Sequence, residues 1–329
     1  MESSWFCPAP EDLLFKKDDP DDPRLGNLVK VKSLDNSERR LGSALKQKSF
    51  SLIGYPDDEG IGHNGGRLGS KTAPNEVRKV FYKMTPSLTG PLPSIFDFGN
   101  LVTENFTLEE KHHHVKIAVS KLLKSDYQII SVGGGHDFGY PDLAAFCEHS
   151  LSEGKRPFII NFDAHFDVRP NKDKSHSGTS FYKLLNEFEG KIDFYEIGIQ
   201  DFCNSRVHLK WLTDKGAHVI TLSEILSHPR GFEGVLQEKV ILNISPENRL
   251  GLSVCMDVFS SAFSPGASAV YPTGLIPNEF LNPWIKLVEK FSPNFCGFYE
   301  TSPPFDQDSR TSKLCALLMH QFIAANLRK

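Results

Sequence analysis

Cysteine is scarce and scattered in this chain: six in 329 residues (Cys7, Cys147, Cys203, Cys255, Cys296 and Cys315), with no CxxC pair among them. That spacing argues against both a disulfide framework and a four-cysteine zinc module, so most of these thiols are expected to be reduced and buried. Basic charge is not in excess either. With 37 Lys and Arg against 41 Asp and Glu the formal net charge is -4, and the pI of about 6.3 gives no electrostatic footprint for nucleic acid. The 25 phenylalanines are therefore read as core rather than as a base-stacking platform. No apolar run approaches the length of a membrane span. The opening MESSWFCPAPEDLLFKKDDPDDP lacks the basic-then-apolar pattern of a secretory leader, and the cytoplasm is the expected location.

What is present is an ordinary globular composition, 39% hydrophobic, on a chain long enough for one large core or two modest ones. Residues 1–48 are polar and acidic, and DDPDDPRLG is too rich in Asp and Pro for a helix or a central strand. An extended arm lying on the surface is expected there, followed by a single α/β domain over 49–329. Within that domain short apolar runs predict strands near 50–54, 94–98, 127–132, 157–162, 194–199, 217–221, 251–258 and 295–300. Between them Thr107 and Glu110 form a capping box, and Val115, Ala118, Val119 and Leu122 mark one apolar helix face. Leu314, Leu317, Leu318 and Phe322 mark another. Strands apolar on both faces, alternating with helices, indicate a mostly parallel sheet covered on both sides.

In such sheets ligands bind at the carboxyl ends of the strands, and the polar residues fall there: VGGGHD, FDAHFD, VCMD and FYE each follow an apolar run. In INFDAHFDVRP, Asp163, His165 and Asp167 alternate, and on a continuing strand they would leave one face together. The GGGHD turn alone says little, having neither the spacing of a dinucleotide fingerprint nor the Lys of a phosphate loop. Joined to Asp163, His165, Asp167 and Asp257, its His136 becomes part of a cluster whose like charges need a cation. Mixed oxygen and nitrogen donors suit Mn, Fe, Ni or Zn better than Ca or Mg, and so many ligands point to two ions. A metal pair can ionise a shared water for attack on an electrophilic carbon, which is hydrolase chemistry. His112, His113 and His114 are expected to be merely exposed on their helix. Arg67 bridges a loop to the core or pairs with a substrate carboxylate.

GGGHD, DAHFD, SVCMDVF and FYETSPPFD resemble the metal motifs and terminal signature of the ureohydrolases, the arginase and agmatinase superfamily. DEGIGHNGGRLGSKTAP at 58–74, Arg169 after the DAHFD motif, HSGTSF at 176–181, AFSPGASA at 262–269 and the acidic arm resemble its formimidoylglutamase branch. The resemblance runs over residues 18–327. It implies a three-layer α/β/α fold with a central, mostly parallel eight-stranded sheet and a binuclear Mn2+ centre. The activity it implies is hydrolysis of N-formimino-L-glutamate to L-glutamate and formamide in histidine degradation, by attack of a metal-bound hydroxide on the formimino carbon. It also implies His136, Asp163, His165, Asp167 and Asp257 as metal ligands, with Asp163 bridging, and Glu300 as the carboxylate that grips the substrate nitrogen. Asp167 or water would protonate the leaving amine. Arg67, Arg169 and Asn64 are the candidate contacts to substrate, a small molecule, and relatives of this kind assemble as trimers or hexamers.

Two positions depart from the family pattern: Cys255 stands where the family has the first Asp of Asp-x-Asp, and Ser177, preceded by His176, stands where arginases carry a proton-shuttling His. Cys255 is therefore a candidate ligand of a different kind. The alternatives are a guanidino hydrolase acting on arginine, agmatine or guanidinobutyrate, and a metal-poor scaffold of the same fold.

Overall fold

A segment such as SFSLIG, buried at all six positions, has no polar side to offer water. It must sit inside a sheet covered on both faces. The computed structural model, which describes residues 5–36, 48–170 and 174–328, builds each of the eight apolar runs into a strand of one such sheet. These are β3 (Ser49–Gly54), β4 (Ser94–Leu101), β5 (Tyr127–Val132), β6 (Arg156–Phe162), β7 (Asp193–Ile199), β8 (His218–Thr221), β9 (Asn248–Cys255) and β10 (Phe295–Tyr299); β1 (Phe6–Cys7) and β2 (Val29–Val31) precede them.

The order across the sheet is β1-β4-β3-β5-β10-β9-β6-β7-β8, with β2 also paired to β4. The eight long-predicted strands are mutually parallel, and the antiparallel pairing is that of β1 with β4. The expected eight-stranded sheet is thus extended along its β4 edge into a ten-stranded one. The extra two strands come from the arm, which does not simply lie on the surface: it closes the β4 edge, and its Leu13, Leu25, Val29 and Leu34 are buried. An unpaired parallel edge would present open backbone groups, and this pairing removes most of them.

Successive strand residues point to opposite faces, and the two cores follow that alternation. Leu52 and Ile130 face one helical layer, where Val77, Trp284, Leu318 and Phe322 meet them from the helices Ala73–Phe81, Pro277–Phe291 and Arg310–Leu327. Ile53 and Ile129 face the other, where Val115, Leu143 and Phe181 come from Leu108–Lys124, Gly139–Ser152 and Ser180–Glu187. The result is a three-layer α/β/α fold. The helix Leu108–Lys124 starts at the expected capping box: the Thr107 N–H donates to Glu110 Oε2 at 2.8 Å and the Glu110 N–H to Thr107 Oγ1 at 3.3 Å.

The three histidines of that helix are not uniformly exposed. His112 and His114 are buried, and His113 alone of the three faces outward. The apolar face is wider than the spacing suggests because the arm lies over it, with Trp5 stacked on the His114 ring at 4.0 Å between centroids. The His112 Nε2 reaches Asp137 Oδ2 at 2.8 Å beneath the GGGHD turn.

Candidate metal centre and substrate pocket

Strands β5, β10, β9 and β6 are consecutive neighbours in the sheet although β5 and β6 are consecutive in sequence. Being parallel, they open at the same edge. Insertion of β10 and β9 between β5 and β6 makes the crevice into which their following loops converge. After β5 the chain turns against the segment following β3: the Gly135 N–H donates to the Asp57 carbonyl at 3.2 Å, and a Cβ on Gly134 would lie 1.5 Å from that same oxygen. Only glycine fits there. The turn delivers His136 and Asp137 not to an exposed rim but to a fully buried floor.

The metal-type residues after β6 and β9 do not continue their strands. Strand β6 stops at Phe162, so Asp163, His165 and Asp167 lie on the loop beyond it and are not brought together by the two-residue strand period. The loop curls instead, with the His165 N–H donating to Asp163 Oδ1 at 2.8 Å and Asp167 at a positive φ of 49°. Likewise β9 ends at Cys255 and Asp257 sits in the one-turn helix Met256–Val258. Glu300, just past β10, also has a positive φ, 67°. Non-glycine residues held there carry backbone strain that a site can exploit.

Two donor sets result. His136, Asp163 and Cys255 form one, and Asp163, His165 and Asp257 the other; within each, the candidate ligand atoms all lie within 4.8 Å of one another. Asp163 belongs to both. The His136 Nδ1 is 2.8 Å from Asp163 Oδ2 and 3.2 Å from Asp167 Oδ2, yet it makes no aligned hydrogen bond; the ring's Nε2 lies 2.9 Å from Ser253 Oγ. Ser253 occupies one ring nitrogen, so the other, Nδ1, is left facing two carboxylate oxygens, an arrangement that a proton on Nδ1 or a cation between them resolves. The Asp257 Oδ1 is buried and unpartnered as well.

The charge balance points the same way. Burial lifts Asp167 and Asp257 above the ordinary carboxylate range, and the neighbouring Asp163 adds repulsion. Burial opposes the His165 imidazolium, but Asp257 and Asp163, at 3.2 and 3.5 Å from its Nδ1, outweigh it and push its pKa well up. Buried imidazoles and carboxylates in this proportion fit a pair of divalent cations of the manganese-to-zinc range, with Asp163 as the shared ligand.

Above the floor is a cavity of about 380 Å³ whose lining includes His165, Asp167, Asp257 and Cys255, with Glu300, Arg67, Arg169 and Asn64 around them. Glu300 is anchored at both oxygens, Oε1 accepting from the His136 N–H at 3.0 Å and Oε2 from the Ser268 hydroxyl. Burial raises its pKa to about 8 in spite of these two donors. Arg67 both bridges and lines the cavity: it donates to the carbonyls of Ala267 at 2.6 Å and Ser268 at 3.0 Å, with its guanidinium over Phe305. Arg169 donates to Asn64 Oδ1, and the Asn64 amide in turn donates to Ser177 Oγ at 3.0 Å.

Sequence reasoning missed Ser253 and Ser268, as well as Cys203, Asn204, His208 and Tyr271 on the pocket wall. Ser268 lies in the AFSPGASA segment noted for its resemblance, but nothing in that string shows that a hydroxyl there meets Glu300. His176 caps the turn Ser177–Thr179, its Nδ1 accepting from the Gly178 N–H at 3.2 Å.

A family model described as the arginase family matches residues 48–325. The chain belongs to the arginase family. Among curated relatives of this arginase-family chain, the formimidoylglutamase of Staphylococcus carnosus (strain TM300) is 32% identical over 283 residues, 84% of this chain and 87% of the relative. A Trypanosoma cruzi formiminoglutamase solved with Mn2+2 superposes with a TM-score of 0.78 at 25% identity, covering 92% of this chain and 98% of that one. The formimidoylglutamase of Bacillus subtilis shares the fold with a TM-score of 0.81 at 21% identity, over 94% of each chain. Among the described residues no helix is long and apolar enough to cross a membrane.

Proposed function

We propose that this arginase-family chain is a manganese hydrolase that converts N-formimino-L-glutamate to L-glutamate and formamide, a step of histidine degradation. The observation that carries the reading is the pair of donor sets sharing Asp163 at the floor of a cavity walled by Glu300 and two arginines. His136, Asp163, Asp167, His165 and Asp257 would hold two Mn2+, which supply a water acidified enough to act as a nucleophile at neutral pH.

The chain's own residues do the rest. Glu300, fixed by the His136 N–H and Ser268, accepts from the formimino nitrogen and holds the amidine carbon over the floor; a cationic substrate nitrogen beside it favours its anionic form. Arg169, steadied by Asn64, pairs with a substrate carboxylate, and Arg67 reads the second. Asp167 or water returns a proton to the leaving amine. A homo-oligomer, trimer or hexamer, accompanies this reading from the family resemblance, and a cytoplasmic location belongs to the same proposal.

The test is turnover of N-formimino-L-glutamate by purified protein with and without added Mn2+. Formamide release that depends on Mn2+ is expected. Urea release from arginine or agmatine at comparable efficiency would instead make the chain a guanidino hydrolase, and a protein that stays metal-free in excess Mn2+ would make it a scaffold.

A further inference from the structure

We propose that the Cys255 thiolate is itself a metal ligand, so that the two ion sites are chemically unequal. The site of His136, Asp163 and Cys255 then takes a borderline or soft divalent cation more tightly than the site of Asp163, His165 and Asp257. The inference rests on the binuclear reading above and adds to it which site is which.

The last residues of β9 explain the placement. Ser253 and Cys255 are two apart on a strand and so leave the same sheet face. The Ser253 hydroxyl meets the His136 ring at Nε2, at 2.9 Å, while the Cys255 sulfur falls within 4.8 Å of the ring's ligand atom and of an Asp163 oxygen. One strand face therefore both holds the imidazole and contributes a donor beside it. The ring cannot swing away, because Tyr299, paired across from Cys255 in the sheet, stacks on it at 4.7 Å between centroids.

A buried cysteine is ordinarily a small apolar packing residue. Cys255, only 2% exposed, is not in such surroundings: its sulfur shares a donor set with the ligand atoms of His136 and Asp163. The buried Asp257 Oδ1 has no hydrogen-bond partner, and the buried His136 Nδ1, though 2.8 Å from Asp163 Oδ2, makes no aligned hydrogen bond. On metal binding the S–H bond gives its proton to solvent and the sulfur lone pair goes to the ion, with no change of oxidation state. Thiolate softness then favours Zn2+, Co2+ or Cd2+ over Mn2+ at that site, while the oxygen and imidazole set has no such bias.

The experiment is a Co2+ titration of the full-length, metal-stripped protein in a non-thiol reductant, read by near-ultraviolet absorption and elemental analysis. We expect one thiolate-to-cobalt charge-transfer band that saturates at one equivalent, disappears in Cys255→Ser and survives in Cys203→Ser. Cd2+ affinity should fall in Cys255→Ser by at least the roughly ten-fold that loss of even an outer partner costs, and Cys255→Asp should bind Mn2+ more tightly than wild type. Wild-type protein that binds two Co2+ without the band overturns the thiolate ligand, as does a band that persists in Cys255→Ser. Either result leaves Mn2+-dependent formamide release standing, whereas wild-type protein that takes up neither Co2+ nor Mn2+ overturns the binuclear reading together with it.

Discussion

The backbone N–H of His136 donates to Glu300 Oε1 at 3.0 Å. Through this one bond the GGGHD turn holds the Glu300 carboxylate beside His136, so the candidate ligand and the carboxylate proposed to grip the substrate are positioned together rather than as two independent side chains. Glu300→Gln keeps an acceptor for that N–H and a partner for Ser268 but removes the charge. Formamide release should fall by about 10²-fold or more, while Mn2+ content measured by elemental analysis stays at the wild-type level. Loss of metal in this variant would show that Glu300 belongs to the ion site instead.

Asp163 is common to both donor sets and fully buried. Asp163→Ala should therefore reduce the content of both ions, not one, and abolish turnover. Dialysis followed by elemental analysis checks the stoichiometry; retention of full metal content would remove Asp163 from the centre.

Arg169 and Asn64 form a strut at the cavity wall. If Arg169 reads a substrate carboxylate, Arg169→Ala loses a charge-assisted contact worth about 1.5–3 kcal/mol, and KM should rise roughly 10- to 100-fold with metal content unchanged. Steady-state kinetics at saturating Mn2+ decides it, an unchanged KM marking Arg169 as structural. Asn64→Ala should give a smaller rise, because it only loosens the guanidinium.

Asp142 is fully buried behind the site and accepts three hydroxyls, from Tyr55 at 2.5 Å, Ser131 at 2.7 Å and Tyr299 at 2.6 Å. Burial raises its pKa from 3.8 to about 7, against those hydrogen bonds. The folded protein thus binds a proton that the unfolded chain has already lost, so this group's contribution weakens stability as pH rises from about 4 to about 7 and levels off above that. The full swing is on the order of 4 kcal/mol. Asp142→Asn should flatten the pH dependence of Tm across that window relative to wild type; parallel curves for the two proteins would show that Asp142 is ionised when folded.

Local pattern alone carried much of this molecule. A strand buried on both faces has to be written in apolar residues, so the eight parallel strands and the flanking helices could be read before any contact was known, and the capping box at Thr107 marked its helix start. The residues proposed as ligands were legible as candidates too, since Asp and His cluster at the ends of several apolar runs. How they meet was not. The alternation of Asp163, His165 and Asp167 suggested a strand face, but β6 ends at Phe162 and a curled loop does the work, with Asp167 at a φ that no sequence period encodes. The crevice itself depends on β10 and β9 pairing between β5 and β6. Partners such as Ser253 for His136 and Ser268 for Glu300, 117 and 32 positions apart in the chain, exist only once that pairing is made. Composition and periodicity are properties of neighbours in the chain; the order of strands, the arm's closure of the β4 edge and the sharing of Asp163 between two donor sets are properties of residues brought together from far apart, and only the packed sheet decides them.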